Sequence, residues 1–290
     1  MARHNETHRL KWALGISTLY FVAELTAGFF TNSLALISDA GHMLSDIGAL
    51  ALSLFAFRVA RRPATHQSTF GFHRVEILAA LFNGLMLWLI VGVIFAAAVS
   101  RMGHPPEVES FGMMIVALLG LAVNIAAAAI LHGGHRHNLN MRGAFMHVMS
   151  DALGSLGAVT AGVIMLTTGW YLADPLISVF IGLLILFSSW SLVKDSLSVL
   201  MQTVPKGIRL EDVRQTIEAV DGVHKVHDLH VWAVTSDIFT LSAHAVVEDG
   251  GDFHQVLNGI EETLKERFNI EHTTIQLETE SREDKEYKAF

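Results

Sequence analysis

The sequence predicts a membrane all-α bundle of six transmembrane helices with a C-terminal cytoplasmic α+β domain, ferredoxin-like in outline. Three observations lead there. Hydrophobic residues make up 51% of the 290 residues and charged residues only 17%, with a mean hydropathy of +0.43. That balance belongs to integral membrane proteins rather than to a large soluble core. Six apolar segments, at roughly 12–30, 34–57, 76–99, 111–131, 143–168 and 175–193, match the ~20 residues that a bilayer requires. After Pro205-Lys206-Gly207 the pattern changes to short amphipathic and alternating runs. The expected division is therefore residues 1–204 for the membrane domain and 205–290 for the soluble one.

The connections between spans are short, so neighbouring helices are expected to be antiparallel. Arg3, Arg9, Lys11, Arg58, Arg61, Arg62, Arg74, Arg136, Arg142, Lys194 and Lys206 fall on one side. The other side has Arg101 alone, accompanied by Glu107 and Glu109. Lys and Arg mark the cytoplasmic side, which puts both termini in the cytoplasm. The polar stretch before the first span, Met1 to Lys11, has no signal-peptide pattern.

Beyond Lys206 the chain is dense in Asp, Glu and His, whereas earlier charges sit mostly in short loops, so the formal net charge of −8 is not evenly spread. Helical periodicity covers 209–220, and strands are read at 223–233 and 238–247 around a turn at Thr235-Ser236-Asp237. Asp252 is placed to cap a helix running to Arg267, and 272–279 reads as a third strand. The order αββαβ is expected to give a small antiparallel sheet with its helices on one face. The charged tail from Ser281 to Phe290 is expected to fray.

One pattern occurs twice inside apolar spans: His42-Met43-Leu44-Ser45-Asp46 and His147-Val148-Met149-Ser150-Asp151. On a helix, i and i+4 share a face, so each copy presents one imidazole and one carboxylate together. Two such helices face to face would bring two nitrogens and two oxygens to one point, a set suited to a tetrahedral zinc-type cation. The absence of cysteine leaves His, Asp and Glu as the available ligands and excludes disulfides. The competing account is polar glue between helices. Four such groups together at membrane depth nevertheless call for a cation, because unpaired charge there is costly. Asp39, one turn before His42, reads as an entrance carboxylate or as a helix cap. Asn83 and Asn124 are further polar residues within the spans. Glu24 reads first as an interhelical hydrogen-bonding group, with support of the site or proton relay as its alternative, and Asp174 before Pro175 reads as a cap at the start of the last span.

Two further histidine clusters lie outside the spans. His132, His135 and His137 form a short Gly-flexible tract between spans four and five, at most a weak metal collector. His66 and His73 are similar but weaker. In the soluble domain, His227, His244 and Glu278 are candidates to meet across three strands, with His224, His230, His254 and His272 nearby in sequence. Simple alternation puts residues 227 and 229 on one face and 228 and 230 on the other, so the His227–His244 encounter depends on register. Ordinary surface histidines are the alternative.

These motifs together resemble the cation diffusion facilitator family, in its bacterial zinc-efflux branch, which is similar to vertebrate zinc transporters. The resemblance runs from about residue 10 to 280. It rests on the stretch from Ser33 to Asp46, Phe70-Gly71-Phe72-His73-Arg74-Val75-Glu76, the second His-x-x-Ser-Asp and Ala173-Asp174-Pro175, together with His227-Asp228-Leu229-His230-Val231-Trp232 and the stretch from Glu271 to Glu278. It implies a homodimer in the bacterial inner (plasma) membrane, joined partly through the cytoplasmic domains, that exports Zn²⁺ in exchange for protons. Cd²⁺, Co²⁺ and Ni²⁺ are further candidate substrates, and no nucleic-acid partner is expected. The family pattern places transport ligands on His42, Asp46, His147 and Asp151. It places soluble-domain ligands for a regulatory Zn²⁺ on His227, His244 and Glu278, with His254 and His272 less securely matched. Two departures stand out. The stretch from His66 to His73 does not reproduce the Asp/His loop site of some members, and the loop between spans four and five lacks the long His-rich insert of others.

Imidazole binds metal only when neutral, so protons and Zn²⁺ compete for the same nitrogens. Alternating exposure of such a site then exchanges metal for protons without ATP, and the chain has no phosphate-binding Gly-rich loop. Rival classes are less well served. A metalloenzyme needs an open metal position, and a His-x-x-x-Asp acyltransferase has no use for two copies. A membrane-anchored metal sensor or scaffold that does not transport is the runner-up.

Overall fold

A computed structural model of the protein describes residues 18–132 and 139–279, with the side chains of 130–144 and 147 outside the description. Helix α1 occupies 18–31 of the described residues. It is followed by α2 (Leu34–Ala60), α3 (Arg74–Gly103), α4 (Ser110–His132), α5 (Leu139–Thr168) and α6 (Ala173–Leu200). Among the described residues five helices, α2 to α6, are long and apolar enough to cross a membrane. The first expected span begins in the undescribed segment. Phe30, Leu89 and Phe187 stand exposed, as suits helices whose surroundings are lipid tails.

The chain forms two compact units: residues up to Leu54 with Ala79–Val193, and Phe55–Leu78 with the chain from Lys194 onward. In the helical unit Leu36, Val91, Met113, Ala158 and Ala161 lie in the buried core. Small residues set the helix spacing: a Cβ added to Gly162 of α5 would lie 3.1 Å from the Met114 Cβ of α4. Between α3 and α6, Trp88 stacks on Trp190 and its Nε1 donates to Ser189 Oγ at 3.2 Å.

Asp174 departs from its expected role. It lies in the first turn of α6, yet its fully buried carboxylate accepts from the backbone N–H groups of Leu34 (2.8 Å) and Ala35 (3.1 Å) and from Ser33 Oγ (2.7 Å). It therefore caps α2, whose first-turn donors have no partner within their own helix. Arg101 Nη1 stands 3.6 Å from the same carboxylate and donates to the Asn32 carbonyl at 2.7 Å.

The second unit contains α7 (Leu210–Glu218), β1 (Val223–Thr235), β2 (Ile238–Val247), α8 (Phe253–Phe268) and β3 (Ile270–Glu278). Asp252 caps α8 by accepting from the His254 and Gln255 N–H groups, and Asn269 ends it in the left-handed region at φ 55°. The sheet order is β1-β2-β3. β1 and β2 pair antiparallel as a hairpin, but β3 runs parallel to β2, so the expected all-antiparallel sheet is corrected to a mixed one. The reason is α8: a helical crossover returns the chain in the same direction, which a tight turn cannot do. Val213 and Ile217 of α7 and Ile260 and Leu264 of α8 share a core with Leu241, Ala243 and Ala245 of β2. The opposite face of β2 carries Thr240, Ser242 and His244.

Candidate metal centres

The helical centre gathers on α2 and α5. His42, 9% exposed, has its Nε2 3.7 Å from Asp46 Oδ2, one turn along α2. The same nitrogen lies 3.5 Å from Asp151 Oδ1 of α5. Donors held about 2.0–2.1 Å from one tetrahedral ion are separated by about 3.3–3.4 Å. An imidazole between two carboxylates at these distances thus approaches the geometry of a bound cation. His147 lies one turn before Asp151 on α5, with its side chain outside the described ones.

The polar residues around this centre divide by role. Ser45 Oγ donates to Asn83 Oδ1 (3.2 Å), and Asn124 Nδ2 donates to Ser155 Oγ (3.4 Å). Both asparagines hydrogen-bond across helices. Glu24 is 1% exposed, and Tyr20 Oη donates to its Oε1 at 3.3 Å. Its carboxyl also meets that of the buried Asp39, one turn before His42. A helix-capping role for Asp39 is thereby displaced, since it lies within α2 rather than at its end.

The second centre lies on the sheet face away from α7 and α8. His227 of β1 pairs with His244 of β2, which pairs with Gln276 of β3, while Glu278 pairs with Val246. His227 Nε2 lies 3.4 Å from Glu278 Oε2, and His244 Nδ1 lies 3.3 Å from Glu278 Oε1. One ligand atom from each of the three residues lies within 4.8 Å of the others. Glu278 is 3% exposed. A buried carboxylate between two imidazoles at tetrahedral-edge spacing fits Zn²⁺, whose ligands are drawn from this donor set.

A bulge makes this meeting possible. Between His227 and His230 the register shifts, so that three residues of β1 span two of β2, and Asp228 takes φ 48°. The extra residue reverses the alternation. Val226 and Leu229 both enter the core, while His227 and His230 fall on the same face. The expected pairing of 227 with 229 on one face is corrected accordingly. The bulge also presents Asp228, which sequence reading passed over as a site residue. Its Oδ1 lies 3.0 Å from His230 Nε2 and its Oδ2 3.9 Å from His244 Nε2. Its short acidic side chain between the histidines of His227-Asp228-Leu229-His230 was the available signal.

The other candidates lie elsewhere. His254 is exposed in the first turn of α8, and His272, beside Phe70, pairs with Thr240 six residues before Glu278 on β3. Neither joins the triad. His224 stands 3.9 Å from Glu248. His135 and His137 lie outside the described residues, as does the His132 side chain.

Comparison with known proteins agrees with both halves of the chain. The cation efflux transmembrane domain matches residues 10–201 and the cation efflux protein cytoplasmic domain matches residues 205–280. A Bacillus velezensis protein named cadmium, cobalt and zinc/H(+)-K(+) antiporter is 47% identical, covering 90% of this chain and 85% of its own. The metal cation efflux system protein CzcD of Cupriavidus metallidurans is 43% identical over 93% of this chain and 85% of its own. The zinc transporter ZitB of Escherichia coli is 39% identical over 94% and 88% respectively. With five helices apolar and long enough to cross a membrane among the described residues, a cytoplasmic domain built on a small sheet and both domains matched, this chain belongs to the cation diffusion facilitator, or cation efflux, family.

Proposed function

We propose that the protein exports Zn²⁺ from the cytoplasm in exchange for protons, as a homodimer of six-span subunits with both termini cytoplasmic. His42, Asp46, His147 and Asp151 form the transport site. The observation that carries this reading is the contact of His42 Nε2 with carboxylates from two different helices. The names of the relatives, which join metal cations to efflux and antiport, support the same direction. Cd²⁺ and Co²⁺ are secondary substrates, and Ni²⁺ suits the same donors.

His42 holds the ion through a neutral nitrogen, so a proton arriving there displaces it. The carboxylates offset the ion's charge in a medium that hydrates it poorly. Glu24, beside Asp39, extends this carboxylate group toward α1. At the sheet, a resident Zn²⁺ held by His227, His244 and Glu278 would supply a cross-link among three strands. That metal has a regulatory part and is not the cargo. The ZT dimer-type cytoplasmic domain match supports assembly of two chains.

Zinc uptake into inside-out proteoliposomes, with and without an imposed pH gradient, tests the proposal by comparing wild type with Asp151→Ala. Gradient-driven uptake that disappears in the variant is the expected result. A membrane-anchored metal sensor that does not transport is a second reading, favoured by the sheet triad, which needs no intramembrane site. Equal flux in both proteins would move that reading to first place.

A further inference from the structure

Between the α2–α3 connection and the sheet lies a cavity of about 420 Å³, within the ~300–1,000 Å³ of small-molecule sites. One wall is the chain leaving α2, with Arg61, Arg62, Phe70 and His73. The facing wall is the sheet surface away from α7 and α8, with the register partners Thr240 of β2 and His272 of β3. Two arginines and two histidines line it without a single carboxylate among the described residues, in a chain whose formal net charge is −8. This is a local concentration of hydrogen-bond donors and positive charge that the chain's overall composition does not produce.

The protein leaves these donors largely unspent. Arg101, Arg209 and Arg214 each stand by a carboxylate. Arg61 instead lies over the Phe57 ring at 5.4 Å, and among the described residues neither Arg61 nor Arg62 has an acidic partner. Thr240 is 2% exposed, and its Oγ1 has no hydrogen-bond partner among the described residues. A buried hydroxyl left unpaired is costly, and a ligand oxygen within the cavity would satisfy it. Phe70, about half exposed, packs its ring edge against His272 with centroids 5.5 Å apart. The cavity thus joins an apolar wall to a cationic rim.

We propose that this cavity binds a phosphate-bearing anion, with Arg61 and Arg62 as the charged clamp and Thr240 as a deep hydrogen-bonding group. Guanidinium groups suit phosphate oxygens because their N–H groups form a planar fork. Neutral imidazoles of His73 and His272 still offer one N–H each. The same chemistry comes from two sources. Arg61 and Arg62 directly follow the 27-residue α2, where a spanning helix meets lipid headgroups, so an anionic phospholipid is one source. Soluble phosphate is the other.

Full-length protein in nonionic detergent, titrated calorimetrically, distinguishes these outcomes. The probes are dihexanoyl phosphatidylglycerol below its micelle concentration, inorganic phosphate, and dihexanoyl phosphatidylcholine as the zwitterionic control. The expected result is saturable binding of one or both anionic probes. Binding weakens about tenfold in Arg61→Gln/Arg62→Gln, several-fold in Thr240→Val, and further with added salt. Binding of phosphatidylglycerol alone supports a lipid site, and binding of both supports a general phosphate site. Failure of both anions to bind, equal binding of phosphatidylcholine, or undiminished binding in the glutamine variant overturns the proposal. Both arginines are exposed, and retained zinc flux in neutral-lipid proteoliposomes verifies that the variant folds.

Discussion

The helical centre and the sheet centre use the same side-chain chemistry but are assembled by different rules. At the helical centre two groups of each pair come from a single i,i+4 spacing, and only one encounter, α2 with α5, has to be supplied by tertiary packing. At the sheet centre each of the three groups comes from a different strand. Their meeting depends on an antiparallel register, a parallel register and a bulge, all at once. The first arrangement is robust to a shift of one residue in a neighbouring element, whereas the second is not, because a one-residue slip sends a strand's side chains to the other face.

The largest effect expected from this contrast is Asp151→Asn, which removes the negative charge that α5 presents to His42 of α2. Gradient-driven zinc flux in proteoliposomes should fall by more than about 100-fold, while zinc binding at the sheet persists. Loss of both together would mean that the two centres are not separable. Next comes Glu278→Gln, which should lower zinc affinity at the sheet by roughly 10–100-fold in equilibrium dialysis. Its flux should stay well above that of Asp151→Asn; a null transporter would instead make the sheet metal part of the transport path.

A smaller effect tests the bulge. Asp228→Val places a β-branched residue at φ 48°, at a cost of about 1–2 kcal/mol, and should speed amide exchange along β1, as read by mass spectrometry. Asp228→Gly should not, because glycine adopts that conformation freely. Equal exchange in both would remove the bulge from the account of the site. The smallest effect is expected for Ser45→Ala, within the first motif but bonded to Asn83 rather than facing Asp151. An interhelical hydrogen bond of about 0.6 kcal/mol corresponds to about a threefold change in flux. A drop as deep as that of Asp151→Asn would make Ser45 a member of the site.

This difference in assembly also decides what could be read in advance. The two His-x-x-Ser-Asp copies announce themselves because helical spacing is local, and five of the expected spans are found close to their expected bounds for the same reason. The His227–His244 encounter was legible only as one possible register. The sequence carries no strong sign that Asp228 adopts a positive φ, since that conformation is uncommon for any non-glycine residue, aspartate's enrichment there notwithstanding. The parallel direction of β3 follows from how α8 packs, and an αββαβ order does not by itself distinguish it from an antiparallel return. Asp174 was recognisable as a capping residue, but nothing local says that the helix it caps begins some 140 positions earlier.

That long-range cap has a mechanical consequence. The first turn of α2 is fastened to the start of α6 by three hydrogen bonds to a fully buried carboxylate and is flanked by Arg101 of α3. A rod clamped at one end cannot slide along its length or screw about its axis without breaking the clamp. What remains is a swing of the free end, with an amplitude that grows with distance from the pivot. His42 and Asp46 lie about two and three turns from that pivot, so a small tilt is enough to part them from α5. The fulcrum itself stays closed to water.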